Sequence, residues 1–190
     1  MRYLPVILIL FTSCSLFETR EPEPPGLGQG SIFIQPDRPE AVIENLQNAV
    51  ANLNLQNYVQ SLDDSRFMFT PTNSAQINDP TIWANWSVLE EQLYFNNLRA
   101  AAEGLTGHQL QFTNINSESQ SVTVQQFRAN YTLTVVHNRT SADIPTVAQG
   151  EIILLIEAGE NGLWNIVSWT DISSGGTFSW SDFKAAFVRG

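Results

Sequence analysis

Only one cysteine, one lysine (Lys184) and two histidines occur among the 190 residues. The lone cysteine, Cys14, excludes an internal disulfide. Nine basic residues against nineteen acidic ones leave a net charge of -10, with no basic stripe for nucleic acid and no polybasic patch for anionic lipid. His108 and His137 fall in separate segments, so no metal-ligand spacing arises and no metal is expected. Neither a glycine-rich phosphate loop nor a serine nucleophile elbow is present, and no cofactor is expected. The longest uninterrupted apolar stretches also fall well short of the roughly 20 residues that a membrane-spanning helix needs.

What is present begins at the N-terminus. Arg2 supplies a positive charge, Leu4 to Phe11 a short apolar run, and Thr12-Ser13 two small residues before Cys14, the layout of a secretory signal. Phe11-Thr12-Ser13-Cys14 resembles the lipobox of bacterial lipoproteins. The resemblance implies cleavage before Cys14, a diacylglycerol on its thiol and a further acyl chain on the new amino group. Two or more chains give stable anchoring. Ser15, where an aspartate marks retention in the inner membrane of enteric bacteria, resembles the outer-membrane class. The expected address is the outer membrane, facing the periplasm or the cell surface, with the membrane engaged through lipid on Cys14.

Residues 1–13 are thus read as a signal peptide and 14–38 as a lipidated, Pro/Gly-rich tether, because Glu-Pro repeats and Gly-x-Gly cannot bury a core. Ile32-Phe33-Ile34 is the apolar exception, expected to lie along the domain as an added strand or to mark a partner contact. Residues 39–190 form one domain. A helix begins at Pro39, with Asp37 as candidate cap and Val42, Ile43, Leu46, Ala49 and Val50 at helical spacing. A second short helix covers Leu55 to Leu62, and Arg66 to Thr70 alternates as a strand. Residues 71–82 read as a polar loop. Ser87 and Glu90 have capping-box spacing ahead of a helix to about Glu103, with Leu89, Leu93, Tyr94 and Leu98 as its buried stripe. Four alternating segments follow: His108–Asn116, Ser121–His137, Val147–Ala158 and Leu163–Ile172. Turns are expected at Asn116-Ser117, Ser141-Ala142-Asp143 and Gly159 to Gly162. Trp180 to Val188 reads as a closing helix.

This order, from Pro39-Glu40-Ala41-Val42 through Trp86-Ser87-Val88-Leu89-Glu90-Glu91 to Trp169-Thr170-Asp171-Ile172 and Trp180-Ser181-Asp182-Phe183-Lys184, resembles the NTF2-like (cystatin-like cone, SnoaL-type) superfamily and uncharacterised bacterial lipoproteins of that type. The fold class expected is α+β: a curved antiparallel sheet wrapped around a long N-terminal helix, with two further helices. On the long strand Phe127, Ala129, Tyr131, Leu133, Val135 and His137 share the face that belongs inside the cone.

Enzymes of the superfamily place an acid or histidine in the cone with a hydroxyl donor opposite, and the resemblance singles out Asp171, His137 and Tyr131 as catalytic candidates. Each also has a structural reading: Asp171 as a strand-end cap, His137 at a hairpin rim, Tyr131 as a core aromatic. Trp83, Trp86, Tyr131 and Trp169 are candidates to line a ligand site at the mouth, if they are not core. Two functions follow. One is a non-catalytic, membrane-tethered module binding a small ligand or an envelope protein; the other is an isomerase- or cyclase-like enzyme acting on a small apolar substrate. An open cone with converging candidates favours the enzyme, and a plugged cone the module. The outer row Gln126, Arg128, Asn130, Thr132 and Thr134 is polar, so a monomer is expected.

Overall fold

The computed structural model describes residues 32–139 and 144–189; the signal segment, Cys14, most of the tether and the Ser141-Ala142-Asp143 turn lie outside them. Helix α1 (Pro39–Ala51) begins with its proline in the first turn, where the missing N–H costs nothing. Arg38, not Asp37, is its N-cap, and no side chain caps it. Val42, Leu46, Ala49 and Val50 form its buried stripe. Leu53, at φ 47°, ends the turn that follows, and the Asn54 side chain accepts from the Asn57 N–H to start α2 (Leu55–Gln60).

Strand β1 (Met68–Thr70) is short, and the residues after it are not the expected loop. They form α3 (Asn73–Asn78) and α4 (Pro80–Trp83). Local chemistry builds both: Thr72 Oγ1 accepts from the Ala75 N–H at 3.2 Å, and Pro80 opens the second. Each helix is only a turn or so long and buries just one residue fully, Ala75 and Trp83, while Ile77 is exposed, so no apolar period announces them. Helix α5 (Val88–Ala101) carries the expected Ser87/Glu90 capping box. Its buried face is shifted, however: Val88, Glu91, Tyr94, Phe95, Leu98 and Ala101 point inward, while Leu89 is 70% exposed and Leu93 49%.

Strands β2 (Gln109–Ser121), β3 (Val124–Thr134), β4 (Val147–Ala158) and β5 (Trp164–Ser173) form an antiparallel meander, and β1 joins its far edge parallel to β5, giving the order β1-β5-β4-β3-β2. The first hairpin turns at Val122-Thr123, not at Asn116-Ser117. A register shift between Thr113 and Asn116, with Asn114 at φ 51°, absorbs the irregularity as a bulge and the strands run on. The Gly159–Gly162 turn forms as expected, with Gly162 at φ 76°. The whole row from Phe127 on β3 to Val135 and His137 just beyond its end is buried, and on β5 Val167, Trp169 and Asp171 are.

Helix α6 (Trp180–Val188) closes the concave side. Ser179 and Asp182 form its capping box, and Trp180, Phe183, Lys184 and Phe187 face the core. Ahead of α1, Ile32 to Ile34 form no strand. Instead the Ile34 N–H donates to Asn45 Oδ1 at 2.8 Å, Asn45 Nδ2 donates back to the Ile34 carbonyl at 2.6 Å, and the Trp164 N–H donates to the Pro36 carbonyl.

Candidate functional site

Tyr131 and Asp171 come from neighbouring parts of the sheet, on β3 and β5, and meet on its concave face. The Tyr131 hydroxyl donates to Asp171 Oδ1 at 2.7 Å. Gly150, opposite Tyr131 on β4, makes room for that ring, since a Cβ there would lie 2.6 Å from the hydroxyl. Asp171 Oδ2 accepts from the Ser181 N–H at 2.7 Å and from the Ser181 hydroxyl at 2.5 Å, and the Trp180 N–H donates to the Tyr131 oxygen at 2.7 Å. Burial raises the Asp171 pKa, against the pull of its hydroxyl and amide donors, and burial beside Asp171 drives the Tyr131 hydroxyl up as well. The pair has the composition of an acid/base site. Its hydrogen bonds, however, are spent on the first turn of α6.

His137 does not join them. Its Nδ1 accepts from the Arg139 N–H, which leaves Nε2 to donate to the Pro145 carbonyl at 3.1 Å. The ring packs edge-on against Phe183 and Phe187 of α6 rather than standing at a rim.

Beside the Tyr131–Asp171 pair lies a second buried polar cluster. Glu91 and Lys184, both fully buried, make a salt bridge between α5 and α6 through Glu91 Oε1. The same oxygen accepts from the Trp86 indole N–H at 2.8 Å, and Oε2 accepts from the Tyr58 hydroxyl at 2.8 Å. The Lys184 ammonium lies 3.7 Å from the centre of the Phe69 ring and 4.0 Å from that of Trp169, within cation–π range. Burial holds the Lys184 pKa below the ordinary lysine range, opposed by Glu91, and burial raises that of Tyr58. An unpaired buried charge would be expensive here, which is why the partners come as a set. Sequence reasoning passed over Glu91, Ser181 and Lys184 as site residues. One signal was available: a solitary lysine on the apolar face made by Trp180, Phe183 and Phe187.

Trp83, Trp86 and Trp169 are core residues, exposed by 6%, 6% and 0%. Trp83 packs at a tilt on Trp86 with ring centres 4.7 Å apart, and Phe69 bridges both to Trp169. Trp180 stands perpendicular to Trp169 at 4.6 Å and donates to the Tyr94 hydroxyl. Trp83, Trp86, Phe69, Trp169 and Trp180 therefore form one continuous aromatic plug. An opening exists farther along the same face: a groove of about 250 Å³ between α1 and the sheet, floored by Ile43, Phe127 and Ile156, with Ile115 at its side and Glu40 and Glu44 at its rim. None of the tryptophans lines it. Phe127 precedes Tyr131 by four residues, about 13 Å along a strand.

Curved sheet, enclosed helix and element order can now be compared with known proteins. No family model matches the sequence, and no curated protein does; the likeness is to solved structures. A candidate aromatic ring hydroxylase from Novosphingobium aromaticivorans superposes with a TM-score of 0.57 at 11% identity, covering 76% of this chain and 92% of its own. An NTF2-like protein of unknown function in nutrient uptake from Rhodospirillum rubrum gives 0.50 at 9%, covering 71% and 97%. The fold is the NTF2-like cone. A candidate scytalone dehydratase from N. aromaticivorans shares it at 0.54 and 8% identity, over 70% of this chain and 78% of its own. Identities this low carry the NTF2-like architecture and nothing of the chemistry. Among the described residues no cluster of His, Cys, Asp and Glu could hold a metal ion, and no helix is long and apolar enough to cross a membrane.

Proposed function

We propose that this chain is a bacterial envelope lipoprotein, anchored through lipid on Cys14 in the outer membrane, whose NTF2-like domain binds a small apolar ligand without transforming it. One observation carries the binding reading: Asp171 and Tyr131 are consumed in holding α6, while the groove over Ile43, Phe127 and Ile156 stays open. Its floor is apolar and both charged groups at its rim are carboxylates, so a neutral or cationic ligand fits better than an anionic one. Its volume lies just under the usual range for drug-sized ligands, which favours a small one.

Two measurements test this. A neutral apolar fluorophore such as N-phenylnaphthylamine should bind the wild-type protein and bind F127E at least tenfold more weakly, with D171N unchanged; equal binding by wild type and F127E rejects the groove. Labelled palmitate should enter the wild-type protein in cells and not C14S. The enzymatic alternative draws on the Tyr131–Asp171 contact and the raised Asp171 pKa, and it requires α6 to leave the cone. Ligand turnover abolished in D171N would favour it.

A further inference from the structure

Lys184 and Glu91 form a fully buried ion pair between two helices, and we propose that they condense into an intramolecular amide, stapling α6 to α5. The two residues lie 93 positions apart in sequence, touch directly and are sealed from solvent. Three features favour condensation over a lasting ion pair. Burial holds the Lys184 amine below the ordinary lysine range, which favours the neutral nucleophile. The Trp86 N–H and the Tyr58 hydroxyl, each 2.8 Å from a Glu91 oxygen, stand where negative charge would develop on the oxygens of a tetrahedral intermediate. The Phe69 and Trp169 rings wall the ammonium at 3.7 and 4.0 Å, keeping out the water that hydrolysis would need. Fixed contact between amine and carboxyl supplies a high effective concentration.

The step balances without any outside reagent. A proton passes from Lys184 Nζ to the Glu91 carboxylate, and the nitrogen lone pair attacks Cδ to form the N–C bond. The proton then shed by nitrogen goes to a carboxyl oxygen, the Cδ–O bond breaks, and one water leaves. A chain with a single cysteine has no disulfide for this purpose, and the amide would join its C-terminal helix to the body of the cone.

The test is peptide mapping of the folded full-length protein, denatured and digested with trypsin. The amide predicts that the peptide of residues 67–99 is joined to that of residues 140–189, uncut after Lys184 and lighter than their sum by one water. Free peptides with cleavage after Lys184 overturn the proposal and leave an ordinary ion pair. K184R, which keeps the charge but has no amine able to condense in this way, should give no joined species; a water loss persisting there also overturns it. Should K184R fail to fold, the wild-type map decides alone.

Discussion

The two ends of the cone are built on opposite principles. Around α6, the buried carboxylates are answered: Asp171 by Ser181 and Tyr131, Glu91 by Lys184, Trp86 and Tyr58, while the Trp169 indole N–H beside them has no hydrogen-bond partner among the described residues. Toward the β2–β3 turn the polar groups simply face water, with Val122 93% exposed and Ile115 58%. The closed end gains a unique arrangement from side chains that are costly when alone. The distal end gains little from any one residue, and it is there that the fold leaves a groove. Rigidity and access have been assigned to different ends of one sheet.

Substitutions should break the closed end and spare the other. The largest effect is expected from K184M, which strands Glu91 in the core and should cost about 3–5 kcal/mol of unfolding free energy in urea titrations. Adding E91Q, which removes the stranded charge, should restore much of it. D171N comes next, at about 1.5–3 kcal/mol, because an amide cannot accept from both Ser181 donors and Tyr131 as the carboxylate does. It also has a pH signature. The folded protein holds the Asp171 proton to higher pH than the unfolded chain, so this group's contribution is greatest in acid. That contribution is lost as pH rises from the ordinary aspartate range through the raised value, and the corresponding slope in stability should be missing from D171N.

G150A should follow, at about 1–3 kcal/mol, because its methyl group would press on the Tyr131 hydroxyl and the Ile172 carbonyl. Smallest is V122D at the distal turn, expected within about 0.5 kcal/mol of wild type. A distal change as costly as K184M would erase the contrast between the ends.

Much of the fold was legible because it rests on local rules. The inner row of β3 follows from strict alternation, and the α5 start follows from Ser87/Glu90. The errors arise where the deciding partner is remote. Apolar periodicity puts Leu89 and Leu93 inside α5, yet the helix is turned to bury Glu91, whose partner Lys184 lies on another helix. The first hairpin looked six residues shorter because Asn116-Ser117 has turn chemistry, whereas paired polar strands outside the core carry no alternation to contradict it. At the site, Asp171 and Tyr131 were recognisable as inward-facing residues. That α6 would occupy their hydrogen bonds depends on the packing of Trp180 against Trp169, which no local pattern encodes.

Asn45 acts as a clasp. By exchanging two hydrogen bonds with the backbone of Ile34, it fastens the incoming chain to the flank of α1 before the helix begins. Tension arriving from the N-terminal side would be borne in the first instance by this clasp, and the sheet would feel none of it until the clasp gave way.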